Sequence, residues 1–282
     1  MSDPVDLPFT QSEIDGLAVR CFGASDAPAV LLSAGLGGAG AYWHPQIEAL
    51  ARDHCVILYD HRGTGNSSRA PLPSPYDATY LATDIRLILD GLGLSQAHIV
   101  GHAAGGIAGL EFIRLWPDRA ASLTIVNGWA KADPHFERCF DIRLAIHAAG
   151  GADAYSKAQP LFLYPATWIS EHLAELDEER IAHAPGFQDE ATLKARIAAL
   201  RAFDARAMLT DITVPTLIIT SEDDMLVPST ASRTLADGIA SAQVARLPWG
   251  GHAVNVTDPG RFNAILIGFL DEHRHNKAQR AS

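Results

Sequence analysis

The sequence lacks the features that would tie it to a membrane, a secretory route or a nucleic acid. No run approaches the ~18 consecutive apolar residues of a membrane-spanning helix, and the longest late stretch, Ala264 to Leu270, is far too short. The opening Met1-Ser-Asp-Pro-Val-Asp has no basic segment and no apolar one, so it does not read as a secretory signal. Cysteine is scarce. Cys21, Cys55 and Cys139 are an odd three with no CxxC spacing, which fits reduced thiols in a cytoplasm. Cys21 and Cys55 lie within strand-like runs and read as small core residues. No His or Cys cluster has ligand spacing, so neither a metal nor another cofactor is implied. Positive charge is short as well. Lys and Arg total 22 against 33 Asp and Glu, a formal charge of −11. Such a chain is a poor electrostatic partner for nucleic acid or anionic lipid.

What remains is a folded chain. Hydrophobic residues make up 48% and charged residues 20% of 282 positions, too much apolar surface to leave unburied. A prior of about 150 residues per domain suggests two domains, although α/β folds reach ~250 residues as one unit. The partner this leaves is a small molecule, bound in the cytoplasm by a monomer or a homodimer.

There is no internal repeat and no low-complexity tract. Short apolar runs recur at Leu17 to Phe22, Ala29 to Ala34, Cys55 to Tyr59, His98 to Val100, Leu123 to Asn127, Thr216 to Thr220 and Val244 to Leu247. Several are rich in Val and Ile and bounded by Gly, Pro or Asp, the pattern of strands buried on both faces. Helical patterns lie between them. Tyr80 to Leu92 sets Leu81, Ile85, Ile88 and Leu89 on one face, and Gly106 to Trp116 ends before Pro117. Ser229 to Ile239 and Arg261 to His273 follow later. Strand alternating with helix predicts an α/β class with a mainly parallel sheet covered by helices. The alternation breaks between Ala130 and Asp211, where Phe136 to Ala149 and Leu193 to Phe203 are helical and no convincing strand occurs. The expected organisation is a core of residues 1–129 and 212–282 with a helical cap of residues 130–211. The tail after His273 is polar and expected to fray.

Two glycine motifs compete for the chemistry. Gly35-Leu-Gly37-Gly-Ala-Gly40 matches GxGxxG after a strand and before the helix-like Tyr42 to Leu50, and Asp60 stands twenty residues after Gly40. This is the spacing of a dinucleotide fingerprint. Against it, a strand already precedes Ala29, and the strand ending at Asp60 runs into a second tight turn, His61-Arg-Gly-Thr-Gly-Asn-Ser67.

The second motif, Gly101-His-Ala-Ala-Gly105, joins a strand to a helix as a G-x-S-x-G nucleophile elbow does, but Ala103 stands where serine would. Two downstream segments weigh in its favour. Asp224 lies four residues before Pro228, after the strand Thr216 to Thr220, and His252 follows the run Val244 to Leu247 on a Gly-Gly loop. Elbow, acid and histidine in that order, each at a strand end, are the order of an α/β-hydrolase. The backbone N–H groups of Leu36 and Ala104 then become the expected oxyanion donors, with Gly35 beside them, and neither donor needs a side chain.

Several segments extend the resemblance. They are Ser33-Ala-Gly-Leu-Gly-Gly-Ala-Gly-Ala-Tyr-Trp43, Tyr59-Asp-His-Arg-Gly-Thr-Gly-Asn66, Val100 to Gly105, Val126-Asn-Gly-Trp129, Arg138-Cys-Phe140, Ala158 to Trp168 and Gly250-Gly-His-Ala-Val-Asn-Val-Thr-Asp258. Together, over roughly residues 28 to 270, they resemble the RutD family of α/β-hydrolases. The resemblance implies a hydrolase of uracil catabolism acting on carbamate or 3-aminoacrylate. The RutD pattern also lacks serine at the elbow, which implies that Ala103 is native and departs from the wider superfamily.

On this reading His252, oriented by Asp224, is a general base working on water in the volume beside Ala103. Asp223 and Asp133 are alternative acids. Ser33, Ser221 and Cys139 are alternative nucleophiles, and His102 is expected to pack beneath the elbow. Trp43, Trp129, Tyr164, Phe162 and Trp168 are candidate pocket walls or plain cap-to-core packing. Arg138 and Arg143 are candidates to pair with a substrate carboxylate. The alternatives to a RutD-type hydrolase are a serine esterase or enol-lactonase whose nucleophile is replaced by Ala, and a non-catalytic ligand-binding homologue.

Overall fold

The computed structural model describes residues 7–274. The readings made on the first six residues and on the tail beyond Arg274 lie outside the described residues. The strands are β1 (Phe9–Ile14), β2 (Leu17–Phe22), β3 (Ala29–Ser33), β4 (Cys55–Tyr59), β5 (Ala97–His102), β6 (Ala120–Val126), β7 (Thr216–Ser221) and β8 (Ala242–Leu247). The helices are α1 (His44–Leu50), α2 (Ala78–Gly91), α3 (Ala104–Leu115), α4 (Pro134–Ala158), α5 (Pro160–Leu163), α6 (Ala166–Glu171), α7 (Leu173–His183), α8 (Glu190–Ala202), α9 (Ser229–Gly238), α10 (Val254–Thr257) and α11 (Pro259–His273).

The strands form one eight-stranded sheet in the order β1-β2-β4-β3-β5-β6-β7-β8. From β4 to β8 every pairing is parallel, while β1–β2 and β2–β4 are antiparallel. Side-chain alternation divides the core between two layers. Leu31, Ile57 and Ile99 face Ile85 and Leu89 of α2 and Leu110 of α3. Val30, Leu32, Val56 and Val100 face Ile47 of α1 and Phe262 and Leu266 of α11. Covering both faces explains why β3, β4 and β7 read as continuous apolar runs with every residue buried.

The two edges differ from that pattern. The sequence reading has no strand at Phe9–Ile14, because its residues are almost all exposed and carry no apolar rhythm. It pairs with β2 through a turn at Asp15 and Gly16, both at positive φ. At the other edge the run Val244 to Leu247 predicts burial on both faces, yet only Leu247 of β8 is buried, because β8 is an edge strand with no strand pairing beyond it among the described residues.

Between β6 and β7 the chain makes the helices α4 to α8, with a kink in α4 where Gly151 leaves helical geometry. A single isolated bridge, Lys131–Asp204, closes the base of this insertion among the described residues. The insertion includes three helices the sequence reading did not separate, α5, α6 and α7. A third apolar cluster joins it to the sheet: Leu36, Ala103, Ala104 and Trp129 below, Phe136, Phe140, Phe162 and Leu193 above.

Candidate active site

The site is built where parallel strands end. β5 stops at His102 and α3 starts at Ala104, so Ala103 makes the whole turn, at φ 48° and ψ −106°. A residue with a side chain is costly there. The turn is possible only because its flanks are glycine. A Cβ on Gly101 would lie 2.2 Å from the backbone of Gly105, and a Cβ on Gly105 would lie 2.1 Å from the Ser33 carbonyl oxygen. No side chain caps α3, so its first N–H groups keep their partial positive charge beside the Ala103 methyl.

Opposite the elbow, the His252 Nδ1–H donates to Asp224 Oδ2 at 2.7 Å, with both side chains buried. The other carboxylate oxygen, Asp224 Oδ1, accepts the N–H groups of Leu226 at 2.8 Å and Val227 at 2.9 Å. The adjacent Asp223 does something else. Its Oδ1 accepts the Ser221 hydroxyl at 2.6 Å and the Gly251 N–H at 2.8 Å, fastening the histidine loop to β7. The His252 carbonyl is held in turn by the His102 Nε2–H at 2.9 Å and by the Asn127 side-chain amide at 2.7 Å. Burial first, and then the neighbouring His252, hold the His102 imidazole well below its ordinary pKa, so the ring stays neutral. It stacks on Tyr42 at 4.7 Å and packs at a tilt of 60° against His252 at 4.6 Å.

The GxGxxG segment has a different use. Asp60 Oδ1 accepts the Gly40 N–H at 2.8 Å and Oδ2 accepts the Asn66 N–H at 3.0 Å. Its carboxylate therefore ties two turns together, with both oxygens spent on backbone N–H groups. The Leu36 carbonyl receives Gln188 Nε2 at 3.1 Å and Arg196 Nη1 at 3.2 Å from the insertion. Arg196 is buried and also donates to Thr64 Oγ1 at 2.9 Å and Gln188 Oε1 at 2.7 Å. The sequence reading gave no site role to Asn127, Gln188 or Arg196. Asn127 carried a signal, an Asn-Gly pair closing a strand, and it does sit at positive φ. The others carried none.

One cleft of about 1400 Å³ gathers Gly35, Leu36, Ala103, Ala104, Trp129, Tyr164 and His252 from the expected set. Four candidate wall residues, Trp43, Phe162, Trp168 and Arg138, are absent from its walls. Phe162 packs within the apolar cluster that joins the insertion to the sheet, and Trp168 stacks on His172 at 4.1 Å. Trp43 is fully buried beneath the sheet in the α1–α11 layer, its ring 6.2 Å from Phe262. Arg138 points to solvent on α4, and the arginine that lines the cleft is Arg143. The alternative nucleophiles are engaged elsewhere. The Ser33 hydroxyl bonds the Tyr59 hydroxyl at 2.8 Å, and the Ser221 hydroxyl is spent on Asp223. Burial raises the pKa of Cys139, whose neighbour His135 gives its Nε2–H to the Met225 carbonyl at 2.6 Å. Asp133 caps α4 by accepting the Phe136 N–H at 2.8 Å. Among the described residues no group of His, Cys, Asp and Glu is arranged to hold a metal ion.

A strained elbow after β5, an acid after β7 and a histidine after β8 on a mostly parallel sheet define an α/β-hydrolase. The family model described as alpha/beta hydrolase fold matches residues 28–150. Similarity extends over nearly the whole chain in proteins named "Putative carbamate hydrolase RutD". The one from Azorhizobium caulinodans is 50% identical over 246 residues, covering 86% of this chain and 91% of its own. The one from Caulobacter vibrioides is 48% identical over 265 residues, covering 93% and 98%. The chain belongs to the RutD family of α/β-hydrolases. Among solved structures, the enol-lactonase from Burkholderia xenovorans is 26% identical with a TM-score of 0.83, covering 93% of this chain and 100% of that chain.

Proposed function

We propose that the chain hydrolyses a small C–N substrate of uracil catabolism, carbamate or 3-aminoacrylate, with water activated by His252 and Asp224 and no covalent intermediate. The observation that carries this reading is the buried 2.7 Å Asp224–His252 pair facing an elbow that has a methyl group in place of a nucleophile. With Nδ1–H committed to Asp224, the other ring nitrogen, Nε2, is the one free to accept a proton. Water loses its proton to Nε2, and its oxygen bonds the carbamate carbon. The N–H groups of Leu36 and Ala104 hold the developing oxyanion. The imidazolium, balanced by Asp224, returns the proton to nitrogen as the C–N bond breaks: carbamate and water become ammonia and bicarbonate. For 3-aminoacrylate, a proton adds to C2 and water to C3, and ammonia leaves to give malonic semialdehyde.

Residues 130–211 act in this reading as a cap over the strand ends. Gln188 and Arg196 reach down from it to the Leu36 loop. The acidic composition supports a cytoplasmic enzyme with no nucleic-acid partner, and sedimentation separates a monomer from a homodimer. Among the described residues no helix is long and apolar enough to cross a membrane. The likeness to an enol-lactonase favours one second reading, an ester or lactone hydrolase. Ammonia release from carbamate and from 3-aminoacrylate generated in place, measured beside p-nitrophenyl acetate cleavage, tests both. Ester turnover without ammonia release overturns the proposal.

A further inference from the structure

Arg143 is a cation in an unusual position. It projects from α4, is 4% exposed and lines the same cleft as Ala103 and His252. Its guanidinium carbon lies 5.0 Å from the Tyr155 ring centre and 5.5 Å from those of Phe140 and Phe162. Among the described residues no carboxylate forms an ion pair with it. Ring faces offset part of the cost of burying a cation, but they cannot accept its hydrogen bonds in the plane of the guanidinium. Arg143 Nε is left without a hydrogen-bond partner, and so is Trp129 Nε1, which lines the same cleft. Buried donors are nearly always satisfied, so two of them at one cleft call for an acceptor that arrives from outside.

The rings also tie Arg143 to the site. Trp129 lies 4.3 Å from Phe136, and Phe136 lies 4.5 Å from Phe140, the ring beneath Arg143. Trp129 and Arg143 line the cleft that also holds Ala103 and His252.

We infer that Arg143 is the anion-binding residue of the cleft and holds the carboxylate of a substrate whose reacting carbon is a different atom, presented to the elbow. This rests on the hydrolase reading above and narrows it. In carbamate the carboxylate carbon is itself the reacting carbon, and its oxygen goes to the Leu36 and Ala104 N–H groups. In a short unsaturated or oxo carboxylate the anionic group stands two carbons from the reacting carbon and is free to pair with Arg143.

The test is binding without turnover. Calorimetry compares 3-hydroxypropionate with 3-hydroxypropionamide on the wild type, Arg143→Lys, Arg143→Gln and Arg143→Met. A hydrogen-bonded charge contact of this kind is expected to favour the carboxylate by about tenfold to a hundredfold, with the preference lost in the Gln and Met variants and partly kept in Lys. Equal affinity of the wild type for acid and amide overturns the inference, as does a preference unchanged in the Gln or Met variant. Should those variants fail to fold, the Nε–H resonance of Arg143 in the labelled wild type decides. It must move with the carboxylate and not with the amide, and an unmoved signal overturns the assignment. Kinetics then test the substrate class. Arg143→Gln should lower kcat/KM for 3-aminoacrylate by tenfold or more, chiefly through KM, and carbamate hydrolysis by less than threefold. Equal losses on both overturn the separation of carboxylate from reacting carbon. Carboxylate binding through Arg143 with no ammonia release from either compound sinks the hydrolase mechanism and leaves the anion site standing.

Discussion

At position 103 a methyl group occupies the strained turn between β5 and α3, and the reaction's character follows from it. A fluorophosphonate needs an oxygen at that point to form its ester. The expected result is no mass increment on the intact protein after treatment, and no burst in product release, because no acyl-enzyme can accumulate. An adduct would send the search for a nucleophile back to Ser33, Ser221 and Cys139. Ala103→Ser should leave ammonia release unchanged or lower, since the hydroxyl takes the volume assigned to water. The neighbouring acids differ in the same concrete way. Asp224 spends one oxygen on His252 and the other on two backbone N–H groups, while Asp223 anchors Gly251 and Ser221. His252→Ala should lower kcat by a factor on the order of 10² to 10⁴, and Asp224→Asn should act in the same direction. Asp223→Asn keeps an acceptor for the Gly251 N–H, so kcat should change far less. Equal losses at positions 223 and 224 would contradict the assignment of the acid.

Among the elements, the insertion between β6 and β7 is set apart by its packing. α6 and α7 bury no residue fully, whereas α3 buries ten of its twelve. Local opening is easiest where few apolar side chains are buried. Limited proteolysis should therefore cut first within residues 159–189, where α5, α6 and α7 join α8, before any strand of the sheet is reached. Peptide mapping of the early fragments checks this, and first cuts within the parallel strands would contradict it. The end of the same segment is fastened more firmly, because Gln188 and Arg196 both bond the Leu36 carbonyl. That link couples the seating of the insertion to the loop whose N–H group is proposed to hold the oxyanion.

For the whole molecule, buried histidines set the response to acid. Burial, aided by the nearby His54, pushes His98 down to about 4, and burial holds His61 and His102 well below their ordinary value. The unfolded chain takes up these protons near pH 6.5 and the folded chain does not, so stability is lost as pH falls from about 6.5 toward each folded pKa. For His98 alone the window down to about 4 amounts to about 3 kcal/mol at most. Asp84 opposes this, because burial raises it to about 6 and folding gains from its protonation as pH falls. His54 is lowered by burial as well, and four histidines outweigh one acid, so thermal melts should show a lower Tm at pH 5 than at pH 7.5. His98→Gln should flatten that slope. A Tm that rises on acidification would show that Asp84 dominates.

The sequence by itself determined the alternation of strands and helices, the break between Ala130 and Asp211, and the order of elbow, acid and histidine. Each of these is written in local patterns: unbroken apolar runs where a sheet is covered on both faces, and glycines where a Cβ has no room. Direction in space was decided only by the tertiary structure. Arg138 and Arg143 are five positions apart on α4, which at about 100° per residue puts them about 140° apart around the helix. One faces water and the other the cleft, and only the docking of α4 says which. Asp223 and Asp224 leave adjacent points of a turn toward different partners. Trp43 and Trp129 look alike as aromatics near glycine loops, yet one fills the layer under the sheet and the other walls the cleft above it. Arg196 has no sequence signal, because apart from Gln188 its partners come from segments more than a hundred residues earlier in the chain and meet it only once the insertion has folded back over the strand ends.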